Sequence, residues 1–113
     1  MPDSQSSIAC IDAHNDCVIL RQVREDPMDL AVADAIYHVD LPRLRAGNIV
    51  GLFVMVGDND LEQSVRLIDA LYAMQQDHGD DFSVCVSRRD VERARRAGQV
   101  ALVMSLEGQA MFG

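Results

Sequence analysis

In the stretch IDAHNDCV, His14 and Asp16 flank Asn15 directly after an apolar run. An imidazole and a carboxylate so placed suit a divalent metal such as Zn²⁺. A second carboxylate, Glu107, follows another apolar run in VALVMSLEG. A carboxylate can bridge two metal ions, which one imidazole nitrogen does not readily do. Taken alone, each is a common pattern. Most H-x-D pairs cap turns or face solvent, and Glu-Gly after a strand also reads as a loop carboxylate beside a turn glycine. Position gives them weight. Side chains alternate along a strand, so His14 and Asp16 share a face at its carboxyl end. Glu107 ends a later strand, and in a parallel barrel those ends gather at the rim where active sites form.

The remaining polar candidates have plainer readings. Asp12 has the parity of His14 and is read either as support for the site or as a buried, hydrogen-bonded strand-end carboxylate. His38 precedes the helix-capping Asp40 and is structural or exposed. His78 lies beside Gly79 at a helix C-terminus, where partial negative charge favours a protonated imidazole. Arg88, Arg89, Arg93, Arg95 and Arg96 are interrupted by Asp90 and Glu92, which marks a solvated helix face. Cys10, Cys17 and Cys85 are odd in number, show no C-x-x-C spacing and have no base near them, so they read as reduced core or loop residues.

The elements that must position these groups follow from periodicity. IACIDA reads as a short buried strand, and a loop interrupted by Pro27 follows it. DLAVADAIY is either a helical turn or an ordered loop. DLPRLRAGN is a helix, with Asp40 as its cap, Pro42 in its first turn and Gly47 ending it in a left-handed conformation. IVGLFVMV is a strand buried on both faces. Leu61, Val65, Ile68, Leu71 and Tyr72 recur at helical spacing, with Asn59 and Glu62 as a capping box and Gly79 at the far end. Phe82–Val86 is a short extended piece. Ser87 and Asp90 cap a further helix ended by Gly98, and the strand VALVMSLEG closes the pattern. Strands alternating with helices mean right-handed βαβ units and a parallel sheet. Three main strands make an open sheet with a bare edge and face, so residues 8–113 are expected to be the N-terminal part of a larger α/β domain. Eight such units make a (β/α)₈ TIM-type barrel. Residues 1–7 are polar and expected to be disordered.

Composition narrows the function classes. The 113 residues are 49% hydrophobic, 25% charged and 4% aromatic, which describes a globular chain with an aliphatic core. The net charge of −8 argues against a nucleic-acid partner, which requires clustered cations. All ten basic residues are Arg. The longest apolar run, Ile49 to Val56, is shorter than the ~20 residues of a membrane span. The N-terminal stretch has no basic and apolar leader signature, and with reduced cysteines this gives a cytoplasmic expectation.

Three blocks together resemble the membrane (renal) dipeptidase family. IDAHNDCV looks like its opening motif, D-G-H-N-D-L. HVDLPRLRAGNIVGLF is similar to its next block, H-x-D-L-P-R-L-R-x-G-x-V-G. SLEG resembles its third, a hydrophobic strand ending in Glu-Gly. The order and spacing also agree, over nearly the whole chain. The resemblance implies a (β/α)₈ barrel with a two-zinc centre, in which His14 and Asp16 bind one zinc and Glu107 bridges both. A metal-bridging water would then hydrolyse a dipeptide, often with tolerance for a D-residue at its C-terminal position. The sequence departs from the family at Leu52-Phe53-Val54-Met55, where Gln-Phe-Trp is frequent, and at Gln109, where Gly or Ala usually follows Glu-Gly. These differences bear on substrate preference. The family's second-metal histidines, acid-base aspartate and substrate-clamping arginine belong to later strands, so the 113 residues alone are expected to bind metal weakly and to be inactive. Two alternatives stand beside this reading. One is a non-catalytic chain that folds only by docking or by forming a homo-oligomer through its open sheet edge. The other is a different metal-dependent amidohydrolase, against which Asp16 counts, since those commonly carry H-x-H.

Overall fold

The apolar run predicted as a strand forms β2 (Ile49–Gly57), and the rest of the sheet is built on it. The computed structural model describes residues 8–57 and 60–108, so the expectation for residues 1–7 lies outside the described residues. Along the chain come β1 (Cys10–Asn15), α1 (Cys17–Val23), α2 (Leu41–Ala46), β2, α3 (Leu61–Asp77), β3 (Phe82–Val84), α4 (Arg88–Arg96) and β4 (Val100–Leu106). The strands form one parallel sheet in the order β1-β2-β4-β3. The short extended piece is thus a fourth strand, paired outside β4, where the sequence suggested three.

That order fixes where the helices lie. Helix α3 carries the chain past the place of β4 to reach β3, and α4 carries it back. Right-handed crossovers in opposite directions put the two helices on opposite faces. The main core accordingly joins Leu52, Val54 and Leu102 to residues of α1, α2 and α3. A smaller cluster joins Ala101 and Cys85 to Ala94 of α4. Among the described residues this second face is open beyond α4: Phe53 and Ile11 are exposed, so none of them fully covers β2 on that side. Strand β1 is mostly exposed instead of buried, because among the described strands only β2 pairs with it.

Several local details differ from the sequence expectations. The seven-residue helix α1 stands where a loop was expected; CVILRQV is too short to show a helical period. DLAVADAIY is an ordered loop. After α2 the left-handed residue is Asn48, with φ 53°, while Gly47 has φ −86°. Helix α3 is capped by Asp60, whose carboxylate accepts from the Gln63 N–H at 2.9 Å; the Asn59 of the expected capping box lies outside the described residues. It buries Ser64, Leu67, Leu71 and Met74, and leaves Leu61, Val65 and Tyr72 exposed. The buried face is turned from the predicted one: Leu67, Leu71 and Met74 pack into the core, and Ser64 joins that face with its hydroxyl donated to the Asp60 carbonyl. The capping of α4 by Ser87 and Asp90 and its end at Gly98, φ 72°, follow the sequence.

The 24–40 segment has no regular structure and is held from within. The Arg21 side chain is buried, donates to the carbonyls of Pro27, Asp29 and Val39, and lies 4.4 Å from the centroid of the Tyr37 ring. Asp40 closes the segment onto α2. Its carboxylate accepts from the Arg43 N–H at 3.0 Å, the Asp34 N–H at 3.2 Å and the Arg43 guanidinium at 2.7 Å.

Two outcomes are expected. Burial alone would raise the Asp40 pKa, but the two N–H groups and the Arg43 charge outweigh it and hold the carboxyl below its ordinary 3.8. A lowered folded pKa stabilises fully above 3.8 and loses that contribution as pH falls through the folded value. Asp40→Ala should therefore cost about 1–2 kcal/mol at neutral pH in urea unfolding, with the deficit shrinking below about pH 4. An equal deficit at pH 3 and 7 would contradict this account. The second outcome concerns thiols. Burial pushes Cys17 up to about 12, against a smaller opposing effect of Arg21, whereas Cys10 is exposed. Iodoacetamide at pH 8 should label Cys10 and spare Cys17 in peptide maps of the folded protein; equal labelling would be inconsistent with the buried thiol.

Candidate metal centre

His14 lies at the carboxyl end of β1, Asp16 is the N-cap residue of α1, and Glu107 follows the last residue of β4. Strands β1 and β4 are separated by β2, so their backbones stand roughly 10 Å apart. The His14 and Glu107 side chains span that gap: His14 Nε2 is 3.6 Å from Glu107 Oε2 and 3.4 Å from Asp16 Oδ1. One ligand-capable atom from each of the three residues falls within 4.8 Å of the others. The three side chains are about half exposed, so the cluster faces the open rim of the sheet.

Simple strand alternation does not produce this convergence. Asp12 pairs with Leu52 and Asn15 with Val54, so three steps along β1 match two along β2. A bulge therefore falls at Ala13 and His14, and bulges re-aim side chains. Asp16 lies beyond the strand, at φ −97° and ψ 15°, and its carboxylate makes no capping bond to α1. On the other side, β2 carries an extra residue between Met55 and Gly57, and the Glu107 N–H donates to the Gly57 carbonyl at 3.0 Å. Gly108 follows at φ 72°, a conformation glycine adopts without Cβ strain, which gives the Glu-Gly pair a structural reason.

Asp12 is not one of the clustered residues. It accepts from the His14 N–H at 3.1 Å and from the Asn15 side-chain amide at 2.7 Å. Asn15, which the sequence reading left without a role, accepts from the Cys17 N–H at 2.9 Å. Its available signal was an Asn one position before an acidic helix cap. The other histidines lie elsewhere: His38 is exposed, and His78 caps the end of α3 with its Nε2 3.3 Å from Asp29. Two arginines of α4 pair locally, Arg88 with Glu92 at 2.9 Å and Arg93 with Asp90 at 3.6 Å.

The donor set fits a divalent cation. Ligand atoms about 2 Å from one tetrahedral zinc lie about 3.4 Å from each other, close to both spacings at His14. Two ionised carboxylates this close repel by about 1 kcal/mol even in a water-like dielectric, and a cation between them reverses the sign.

The comparisons with known proteins agree with one another. The family model described as membrane dipeptidase (peptidase family M19) matches residues 3–113. The curated dipeptidase ataJ of Aspergillus terreus (strain NIH 2624 / FGSC A1156) is 29% identical over 119 residues, which is 89% of this chain and 29% of that protein. Among solved structures, dipeptidase AC, a metallo peptidase of family M19, matches with a TM-score of 0.76 at 22% identity, over 91% of this chain and 36% of that one. The probable dipeptidase PvdM from Pseudomonas aeruginosa matches with a TM-score of 0.72 at 16% identity, over 96% of this chain and 30% of that one. The chain thus spans about a third of the length of these relatives, and its fold is that of the N-terminal part of their (β/α)₈ barrel. It belongs to the membrane dipeptidase family, peptidase family M19.

Proposed function

We propose that the protein takes part in metal-dependent hydrolysis of dipeptides, with zinc as the ion and His14, Asp16 and Glu107 as one part of a two-metal site. The observation that supports this reading most directly is the convergence of one imidazole and two carboxylates from β1, the start of α1 and the end of β4. Held by these residues, the metal would supply Lewis-acid chemistry, making a bound water more acidic and polarising the peptide carbonyl.

The residues of this chain then have distinct tasks. Asp16 and Glu107 would supply the negative charge that retains a cation, and Glu107 has two oxygens to offer. His14 would contribute an imidazole nitrogen, and its Nε2 lies within 3.6 Å of both carboxylates. The half-exposed rim leaves room for a small substrate to approach. Because the chain spans about a third of its relatives, the remaining ligands and the substrate-binding groups are assigned to segments outside these 113 residues. The isolated 113-residue chain should accordingly bind zinc weakly and turn over little dipeptide.

In the natural full-length protein, His14→Ala and Glu107→Ala should each lower zinc content, measured by atomic absorption, and reduce kcat/KM on a dipeptide by more than ~100-fold. Unchanged zinc content in both variants would refute the ligand assignment. Chelation should abolish turnover and added zinc should restore it; activity indifferent to chelators would refute the metal dependence.

A further inference from the structure

We propose that Asp12 and Asn15 are positioning residues that lock the turn carrying His14 and Asp16, and so set the affinity of the site for its metal. The proposal rests on the ligand assignment made above. At the β1 bulge the His14 N–H is directed to the Asp12 carboxylate at 3.1 Å. The second Asp12 oxygen accepts from the Asn15 amide at 2.7 Å, and the Asn15 carbonyl accepts from the Cys17 N–H at 2.9 Å. These three bonds run from the last regular part of β1 to the first residue of α1, and both ligand residues lie within the span they close.

Asp16 is not engaged in capping the helix it precedes. An Asp at a helix N-cap ordinarily turns its carboxylate onto the first N–H groups of the helix. Here Asn15 takes the Cys17 N–H, Asp16 makes no capping bond, and the Asp16 carboxylate is 3.4 Å from His14 Nε2. Losing the Asn15 acceptor would leave the Cys17 N–H at the start of α1 without its side-chain partner and release the turn that carries Asp16. Losing the Asp12 acceptor would leave the His14 backbone without its hydrogen bond at a bulge, where the ladder does not replace it.

The polarity of the pair supplies the test. In Asp12→Asn the new amide faces the Asn15 amide, donor against donor. In Asn15→Asp two carboxylates meet. In the double exchange Asp12→Asn/Asn15→Asp, the amide at position 12 donates to the carboxylate at position 15. Each side chain keeps an oxygen for its backbone N–H, and the net charge is unchanged. Zinc affinity is measured by chelator competition on the natural full-length protein, with the unfolding midpoint recorded alongside and His14→Ala as reference. Each single exchange should weaken zinc binding about 10- to 100-fold, and the double exchange should return to within about threefold of the parent. Single exchanges that leave zinc affinity intact, or a double exchange whose loss is the product of the two, would overturn the proposal. So would a fall in unfolding midpoint with zinc affinity unchanged. If His14→Ala itself leaves zinc affinity unchanged, it is the ligand assignment that fails.

Discussion

Strand β2 pairs in parallel with β1 on one side and β4 on the other, and this double pairing sets the geometry of the rim. It brings the carboxyl ends of β1 and β4 to the same level, one strand apart on either side. It also sets the reach required of the side chains. With backbones roughly 10 Å apart, an imidazole and a glutamate can meet over the end of the intervening strand, while a shorter pair would not. The irregularities nearest the rim, one on β1 at His14 and one on β2 near Gly57, supply the final adjustment. Regular pairing delivers the groups to the neighbourhood, and departures from it aim them.

A second constraint is the long connection from α1 to α2. A segment without helix or strand has few internal partners for its backbone. Here the Arg21 guanidinium accepts that task, donating to three carbonyls spread from Pro27 to Val39 while lying over Tyr37. The Tyr37 hydroxyl in turn bonds the Asp26 carboxylate. Arg suits this position because its planar fork serves several acceptors at once, which a lysine ammonium on a flexible stem would not do as well. The same α1 follows directly on its N-cap residue Asp16, so the loop is anchored on the helix whose first turn adjoins the rim.

What the sequence disclosed follows from which forces are local. The run Ile49 to Val56 and the caps Asp40 and Ser87 were legible because burial on a central strand and satisfaction of helix N–H groups leave short-range marks. His14, Asp16 and Glu107 were legible as candidates because they end apolar runs, and the structure does bring them together. The reason first read for it, strand alternation, is incomplete, since the bulge and the turn into α1 do the aiming. Helix α1 was missed because seven residues hold less than two turns of period. The buried face of α3 was misjudged because two apolar stripes compete on that helix, and the choice between them depends on its partners. The strand Phe82–Val84 was underestimated because its pairing with β4 is a tertiary fact.

The strand order also governs how the chain closes on itself. Strands β3 and β4 are joined by a single short helix and can pair from local encounters. His14 and Glu107, by contrast, are separated by nearly the whole sequence. Bringing distant segments together spends loop-closure entropy before any contact repays it. Strand β1 offers few buried side chains in return, so its docking is expected late on the folding route. The rim is then a product of folding and not its nucleus. A cation that recognises only the finished rim would hold the native state against opening while leaving the rate of its formation nearly unchanged.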